Sequence, residues 1–269
     1  MQPPLPRARK SLGQHFLIDP NIRDKIIRAA ELTPDDAVLE IGPGRGALTR
    51  SLAQAAGQVI AVEVDKDLAE KLAADLSSLP NVRVIHADML AYSLDSLPRD
   101  AKVVANLPYN IATPILFRLL EQRSRIDRMV VMVQKEVALR LVAKAGTKAY
   151  GPLSVAIGFA ADVRILFNVS PNCFRPRPKV NSAVVELRPL AAPRVHVKDE
   201  AAFFAVVRAG FGRRRKTIAN ALAALNISKP VLAEALASSG LDPGRRAETF
   251  SLEEFARLSD RLFELSGPL

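Results

Sequence analysis

Five short runs of aliphatic and β-branched residues punctuate the first two thirds of the chain: VLEIG at 38–42, VIAVEV at 59–64, VRVIHAD at 82–88, KVVANLP at 102–108 and MVVMVQ at 129–134. Helical patterns fill the stretches between them, and that alternation predicts a parallel sheet. The runs are nearly continuous in apolar residues, as expected of strands covered by helices on both faces. Ahead of the first run, Asp19 and Pro20 read as an N-cap followed by proline at the first helical position. Ile22, Ile26, Ile27 and Ala30 then fall on one face, so a helix precedes the sheet.

Beyond residue 150 the pattern changes. VRILFNV at 163–169 and SAVVELRPL at 182–190 are joined by a proline-rich loop instead of a helix, which predicts a closing hairpin. PLAAPRVHVK at 189–198 reads as a linker, and helical patterns follow at 199–211, 214–225, 230–239 and 251–265. The last opens with Ser251 and Glu254 in capping-box spacing and places Leu252, Phe255, Leu258 and Leu262 on one face. The expected architecture is α/β: a Rossmann-like, mostly parallel sheet domain over 1–190, closed by an antiparallel hairpin, and a small all-helical domain over 191–269.

A chain of 269 residues is long enough to bury a core without disulfide or metal staples. With one cysteine, Cys173, and three histidines, no protein zinc site is expected, and the compartment reads as reducing. No apolar run approaches the ~20 residues of a membrane span, and the basic start MQPPLPRARK has no apolar segment behind it. A soluble, cytoplasmic protein is expected. Charge changes the picture more: 38 Lys and Arg against 28 Asp and Glu give a formal +10, which favours a polyanionic partner without choosing among RNA, DNA and anionic lipid. The absence of Trp and the presence of only three Tyr argue against a surface lined with many stacking aromatics.

The segment Glu40-Ile-Gly-Pro-Gly-Arg-Gly46 follows the first strand and precedes the helical run ALTRSLAQAA. Glycines in such a turn admit a ligand that a Cβ would exclude, and the helix start offers free N–H groups. Gly42, Gly44 and Ala47 also satisfy the dinucleotide pattern G-x-G-x-x-G/A. The glycines alone therefore leave NAD and S-adenosylmethionine (SAM) both open. Glu63, 21 positions after Gly42, stands where a carboxylate can accept the two hydrogen bonds of a ribose diol, which either cofactor carries. Asp88, after the third strand, stands where it can accept an adenine amine; taken by itself it reads as a cap or loop acid. Three ligand candidates at three successive strand ends fit a doubly wound sheet, which binds along that edge.

Asn106-Leu-Pro-Tyr109 follows the fourth strand and falls on the same edge. The chemistry it suggests is methylation of an amine conjugated to an aromatic ring, whose delocalised lone pair is a poor nucleophile. The Asn106 side-chain carbonyl and the Pro108 backbone carbonyl can take both amine hydrogens and favour a pyramidal nitrogen, while Tyr109 stacks on the base. The plain alternative is a strand-ending turn.

The segments Lys10-Ser-Leu-Gly-Gln-His-Phe-Leu17, EIGPGRG, VEVD, HAD, NLPYN, QKEVALRL, AYGPLS and FRPRPKVNSAV occur in the order seen in the rRNA adenine dimethyltransferases. Over roughly residues 10–265 the sequence resembles that family, and within it the bacterial small-subunit type. That type transfers four methyl groups from SAM to two adjacent adenines near the 3′ end of 16S rRNA. The resemblance implies SAM over NAD, a SAM-dependent methyltransferase fold with a small helical C-terminal domain, and a pre-formed small ribosomal subunit as partner. It also implies that His15 and Leu17 contact the cofactor, that Gly42 and Gly44 lie in the turn at its methionine end, and that Glu63 holds the ribose. Asp88 is implied for the adenine amine, and Asn106 for the methionine moiety and the target. Position 15 is often Asn in the family, so a backbone contact from His15 is expected over a side-chain one. Phe174, in Phe-x-Pro-x-Pro-Lys-Val-x-Ser, is implied to stack on the adenine face opposite Tyr109.

The expected reaction is direct, in-line transfer without a strong base, on an adenine out of its stack. Arg213, Arg214, Arg215 and Lys216, with no acid between 201 and 233, form the strongest basic cluster and are expected to meet RNA phosphates. Arg175, Arg177 and Lys179 are expected to extend that contact, and Arg7, Arg9 and Lys10 lie in a tail that either extends it or is disordered. A monomer is the default. The competing readings are a large-subunit rRNA methyltransferase of the antibiotic-resistance branch, a non-catalytic ribosome-assembly factor on the same fold, and an NAD dehydrogenase.

Overall fold

The computed structural model describes residue 9, residues 12–213 and residues 215–268. A two-residue strand β1 (Phe16–Leu17) leads into helix α1 (Pro20–Ala30), capped by Asp19, whose Oδ1 accepts the N–H groups of Asn21 at 2.9 Å and Ile22 at 3.3 Å. Next come β2 (Ala37–Ile41), α2 (Thr49–Ala55), β3 (Gln58–Glu63), α3 (Lys66–Asp75), β4 (Val82–His86), β5 (Ala101–Asn106), α4 (Ala112–Glu121), β6 (Ile126–Gln134) and α5 (Lys135–Leu141). The chain continues through α6 (Pro152–Ala160), β7 (Ala161–Val169), β8 (Phe174–Arg175) and β9 (Ser182–Pro189). It ends in α7 (Glu200–Gly212), α8 (Ile218–Leu222), α9 (Lys229–Ser238) and α10 (Leu252–Ser266).

Seven strands form one sheet in the order β4-β3-β2-β5-β6-β9-β7, and β1 pairs with β8 in a separate two-stranded ribbon. Strands β2 to β6 are parallel, and β9 closes against β6 antiparallel. The winding runs outward from β2 through β3 to β4, then returns to β5 beside β2, so the strand order reverses between β2 and β5. A crevice opens at such a reversal, at the carboxyl ends of the strands. The segments after β2 and β5 are the glycine turn and Asn106-Leu-Pro-Tyr109. One face of the sheet is sealed by Ile26 and Ala30 of α1 and Leu52 of α2, packed with Val38, Val59, Val104, Val130 and Phe174. Strand β4 departs from the expected double-sided burial: Arg83 and His86 are exposed and the rest only half-buried, because β4 is an edge strand with a neighbour on one side.

Two compact units emerge. The first comprises residues 1–138 and 162–191, and the second 139–161 and 192–269. A single boundary at 190 does not describe this, because α6 belongs with the helical unit. Seven of its nine residues are buried, and Phe159 stacks on Phe203 of α7 with centroids 5.0 Å apart. The helical unit is further tied by the α10 capping box, with Glu254 N–H donating to Ser251 Oγ at 3.2 Å and Ser251 N–H donating to Glu254 Oε2 at 2.8 Å. The helix expected from 214 begins instead at Ile218, after its N-cap Thr217. Gly212 ends α7, and four adjacent cations disfavour continuing it, so Arg213, Arg215 and Lys216 lie in a turn; Arg214 lies outside the described residues. Among the described residues, no helix is long and apolar enough to cross a membrane, and no group of three His, Cys, Asp or Glu is placed to hold a metal ion.

Candidate active site

The cleft at the strand reversal is lined by residues 12–17, by Glu40, Gly42, Pro43, Arg45, Ala47 and Leu48 around the glycine turn, by Glu63 and Val64 after β3, and by Asn106–Tyr109 after β5. Gly42 has φ +65°, a backbone conformation that side chains disfavour, and its missing Cβ would face the Pro108 ring at 3.5 Å. Gly44 is tighter. A Cβ there would meet the Phe16 ring at 2.9 Å, so the turn can lie under the N-terminal segment only because it is bare. Gly44 itself is behind the cleft wall, donating its N–H to Glu63 Oε2 at 2.9 Å, while Glu63 Oε1 accepts the Asp65 N–H at 3.0 Å. Glu63 is 4% exposed, and burial raises its pKa against the opposing pull of those two bonds. A carboxylate has about four lone-pair sites, so Glu63 is fixed by the backbone and keeps capacity for a ligand diol.

Asn106 is the most informative side chain. Its Nδ2 donates to the His15 carbonyl at 3.0 Å, which fixes the amide plane, and its Oδ1 is buried with no hydrogen-bond partner. A buried acceptor left unmatched calls for an explanation. The Pro108 carbonyl accepts the Ile111 N–H at 3.2 Å, leaving one lone pair. Tyr109 is half-buried; its hydroxyl is hydrogen-bonded to Ser182 Oγ, its ring lies 5.1 Å from the His15 ring at 32°, and burial raises its pKa. The His15 Nδ1 meets the Pro176 carbonyl at 2.7 Å.

Residue 9 and residues 12–17 lie across this edge as a strap. Gln14 donates to Asp65 at 3.2 Å, Arg9 pairs with Asp67 at 2.7 Å, and Phe16 and Leu17 pair with Arg175 and Phe174. The Arg45 guanidinium stands 4.4 Å over the Phe16 ring. Leu17 reaches the cleft from this ribbon.

Other expected residues fall elsewhere. Asp88 is exposed at the end of β4, outside the cleft wall, and its Oδ1 accepts the Leu90 N–H at 2.9 Å. Phe174 is a correction: it is fully buried among Leu17, Ile26 and Cys173, with no ring face open to a base. Arg175 is exposed at the end of β8, Arg177 and Lys179 are exposed on the loop after it, and Arg213, Arg215 and Lys216 are exposed in the turn of the helical unit. Lys10 and Arg7 lie outside the described residues.

Sequence reasoning missed Glu40. It is 1% exposed, borders the cleft, has an unpartnered Oε2, and has its pKa pushed up to about 8, first by burial. Its only signal in the sequence is an acid inside an apolar strand, two residues before a glycine turn.

Known proteins resemble this chain along nearly its whole length. The family model described as Ribosomal RNA adenine dimethylase matches residues 6–264. The Ribosomal RNA small subunit methyltransferase A of Pelotomaculum thermopropionicum is 49% identical over 273 residues, spanning 96% of this chain and 92% of that one. Among solved structures, a dimethyladenosine transferase from Plasmodium falciparum superposes with TM-score 0.75 at 27% identity, covering 91% of this chain and 96% of that one. The 23S rRNA methyltransferase ErmE gives TM-score 0.66 at 32% identity, covering 92% and 99%.

Proposed function

This chain belongs to the ribosomal RNA adenine dimethylase family, and on that premise we propose that it uses the edge described above to methylate adenines of 16S rRNA with SAM as donor. The activity is SAM-dependent dimethylation of rRNA adenine, and the small-subunit identity of relatives such as those at 49% and 44% weighs against the large-subunit branch. The finer reading is two adjacent adenines near the 3′ end, within the small subunit, by a cytoplasmic monomer.

The residues fit the donor. The bare backbone at Gly42, the spare lone pairs of Glu63 and the unmatched Asn106 Oδ1 converge on one cleft. When bound, SAM supplies an electrophilic methyl group on a sulfonium. Glu63 accepts the ribose hydroxyls, Asp88 at the next strand end accepts the adenine amine, and His15 and Leu17 close over the cofactor from the strap. Gly42 lets the backbone approach the amino-acid end, and Gly44 supports it from behind by fixing Glu63.

Asn106 Oδ1 and the free lone pair of the Pro108 carbonyl accept the two hydrogens of the target amine, turning its lone pair toward the methyl group. Tyr109, held by Ser182 and His15, stacks on the base and fixes the approach. The product nitrogen is cationic and acidic, so its proton leaves to water and no protein base is required. Phe174 has a packing role, seating Leu17 through the β1–β8 pairing. Arg213, Arg215 and Lys216, with Arg175, Arg177 and Lys179, meet phosphates.

The observation that carries this reading is Asn106, pinned through Nδ2 and unmatched at Oδ1. Tritiated-methyl incorporation tests it: undermethylated small subunits are labelled at two adjacent adenines near the 3′ end of 16S rRNA. Label found only in large-subunit rRNA, or none in either, would overturn it.

A further inference from the structure

Parallel strands are ordinarily linked by a helix, and α2, α3 and α4 do this between β2 and β3, β3 and β4, and β5 and β6. The link from β4 to β5, residues 87–100, contains no helix. Its backbone lacks the internal bonds a helix would supply, so carbonyls turned toward the protein need other donors. Met89, Leu94 and Leu97 anchor the segment by burial, and two arginines complete the hold. From the last turn of α4, Arg118 donates through Nη1 to the Leu90 carbonyl at 2.6 Å and through Nη2 to the Tyr92 carbonyl at 2.5 Å. Farther along, Arg125 Nη1 donates to the Leu97 carbonyl at 3.1 Å. A planar guanidinium fork suits two neighbouring carbonyls. The Arg118 Nε is buried without a partner, so the hydrogen bonds of this side chain go to the link alone.

What the fork holds is a tight turn. The Asp88 carbonyl accepts the N–H groups of Ala91 at 2.9 Å and Tyr92 at 2.8 Å, and Asp88 Oδ1 accepts that of Leu90 at 2.9 Å. Asp88 thus opens the turn, and the carbonyls that close it end on Arg118. Helix α4 joins this turn to the reacting edge. It begins at Ala112, with the Ile111 N–H on the Pro108 carbonyl at 3.2 Å, and Arg118 follows about 9 Å along its axis. We propose that Arg118 is a positioning residue for cofactor selectivity: by holding the Leu90 and Tyr92 carbonyls it aims the Asp88 carboxylate at the 6-amino group of the cofactor's base. This rests on reading Asp88 as the acceptor of the adenine amine. Plain packing of a helix-free link is the rival role, and the two differ in outcome. Loss of aim removes the preference for a base carrying an amine, whereas loss of packing weakens all such ligands alike.

Calorimetry of the full-length protein with S-adenosylhomocysteine and with its purine analogue, in which hydrogen replaces the 6-amino group, reads that preference directly. The wild type should favour the amine by about tenfold, the scale of one hydrogen bond to a charged acceptor. Asp88→Ala should bind the two ligands nearly alike, and so should Arg118→Met, although its Asp88 is intact. Combining the two substitutions should remove no further preference. Arg125→Met, which releases the link farther on at Leu97, should keep the wild-type preference. An Arg118→Met protein that retains the preference, even with both ligands bound more weakly, would overturn the inference. Equal loss of preference in Arg125→Met would do the same, because general packing of the link would then be the cause. If Arg118→Met does not fold, Arg118→Lys decides: a lysine cannot fork onto two carbonyls, so the preference should fall, and an undiminished one refutes the proposal. A wild type with no preference, or an Asp88→Ala protein that keeps it, would overturn the reading of Asp88 and this inference together.

Discussion

In the sheet unit the acids of the cleft, Glu40 and Glu63, are 1% and 4% exposed and hold their places through the β2 backbone and the N–H groups of Gly44 and Asp65. In the helical unit Arg213, Arg215 and Lys216 stand in solvent on a turn. The helical unit is the shorter, yet it holds fifteen Lys and Arg against nine Asp and Glu, whereas the sheet unit holds twenty-three against nineteen. A buried charge acts through position, because low dielectric magnifies each interaction and a misplaced one is penalised. An exposed charge is screened within about 8–10 Å at ordinary salt and acts through number and density. One unit is therefore suited to geometry and the other to attraction.

The sharpest way to break this contrast is Asn106→Ala. Losing an acceptor aimed at the reacting nitrogen should slow single-turnover methyl transfer by on the order of 10²–10³ at saturating SAM and RNA. The salt dependence of RNA binding should not change. A wild-type chemical step would end the account of nucleophile activation. Glu63→Ala comes next: removing a charged acceptor should weaken SAM binding by about 1–3 kcal/mol, read by calorimetry. Unchanged affinity would take Glu63 out of the site.

Replacing Arg213, Arg215 and Lys216 together by Gln tests the other side. RNA affinity should fall, and the slope of log affinity against log salt should flatten by roughly 0.7–0.9 for each phosphate no longer neutralised, while the methylated position stays the same. A shifted methylation position would show that the turn reads sequence. A wild-type slope would make it an ordinary solvated turn.

The smallest effect concerns stability. Glu254 has its pKa lowered first by the hydrogen bonds from Arg245, at 2.6 and 2.9 Å. Its stabilisation is present above the ordinary glutamate value of about 4.3 and is lost as pH falls through the lower folded value. Urea midpoints should separate wild type from Glu254→Gln at pH 6 and draw together as the pH is lowered below the ordinary glutamate value. A constant gap across that range would show that the pairing contributes nothing.

Much of the sheet was legible because β2, β3, β5 and β6 are buried, so their apolar runs are uninterrupted. The cleft edge was legible for a local reason: Gly42, Glu63, Asn106 and Tyr109 each sit within a few residues of a strand end, where the cleft of a doubly wound sheet and sequence position coincide. Glu40 was not, since an acid in a strand carries no mark of which way it faces. The membership of α6 was also hidden, because it is decided by packing such as Phe159 on Phe203, across more than forty residues. Phe174 misled for a related reason: a motif fixes the residue type but not whether its ring faces a cleft or a core.

The ribbon of β1 and β8 carries a consequence for the order in which the chain is made. His15 and Pro176, which meet at 2.7 Å, are 161 positions apart. On a translating ribosome the glycine turn, Glu63 and Asn106 emerge well before the strand that the strap pairs with. At about 5–20 residues per second, the interval from Asn106 to Phe174 lasts several seconds. During it the nascent protein has its parallel strands but lacks the strand that pairs with Phe16 and Leu17. Chains stalled before residue 174 has left the exit tunnel should hold SAM more weakly than finished ones. The ribbon that seats the strap thus closes only late in translation.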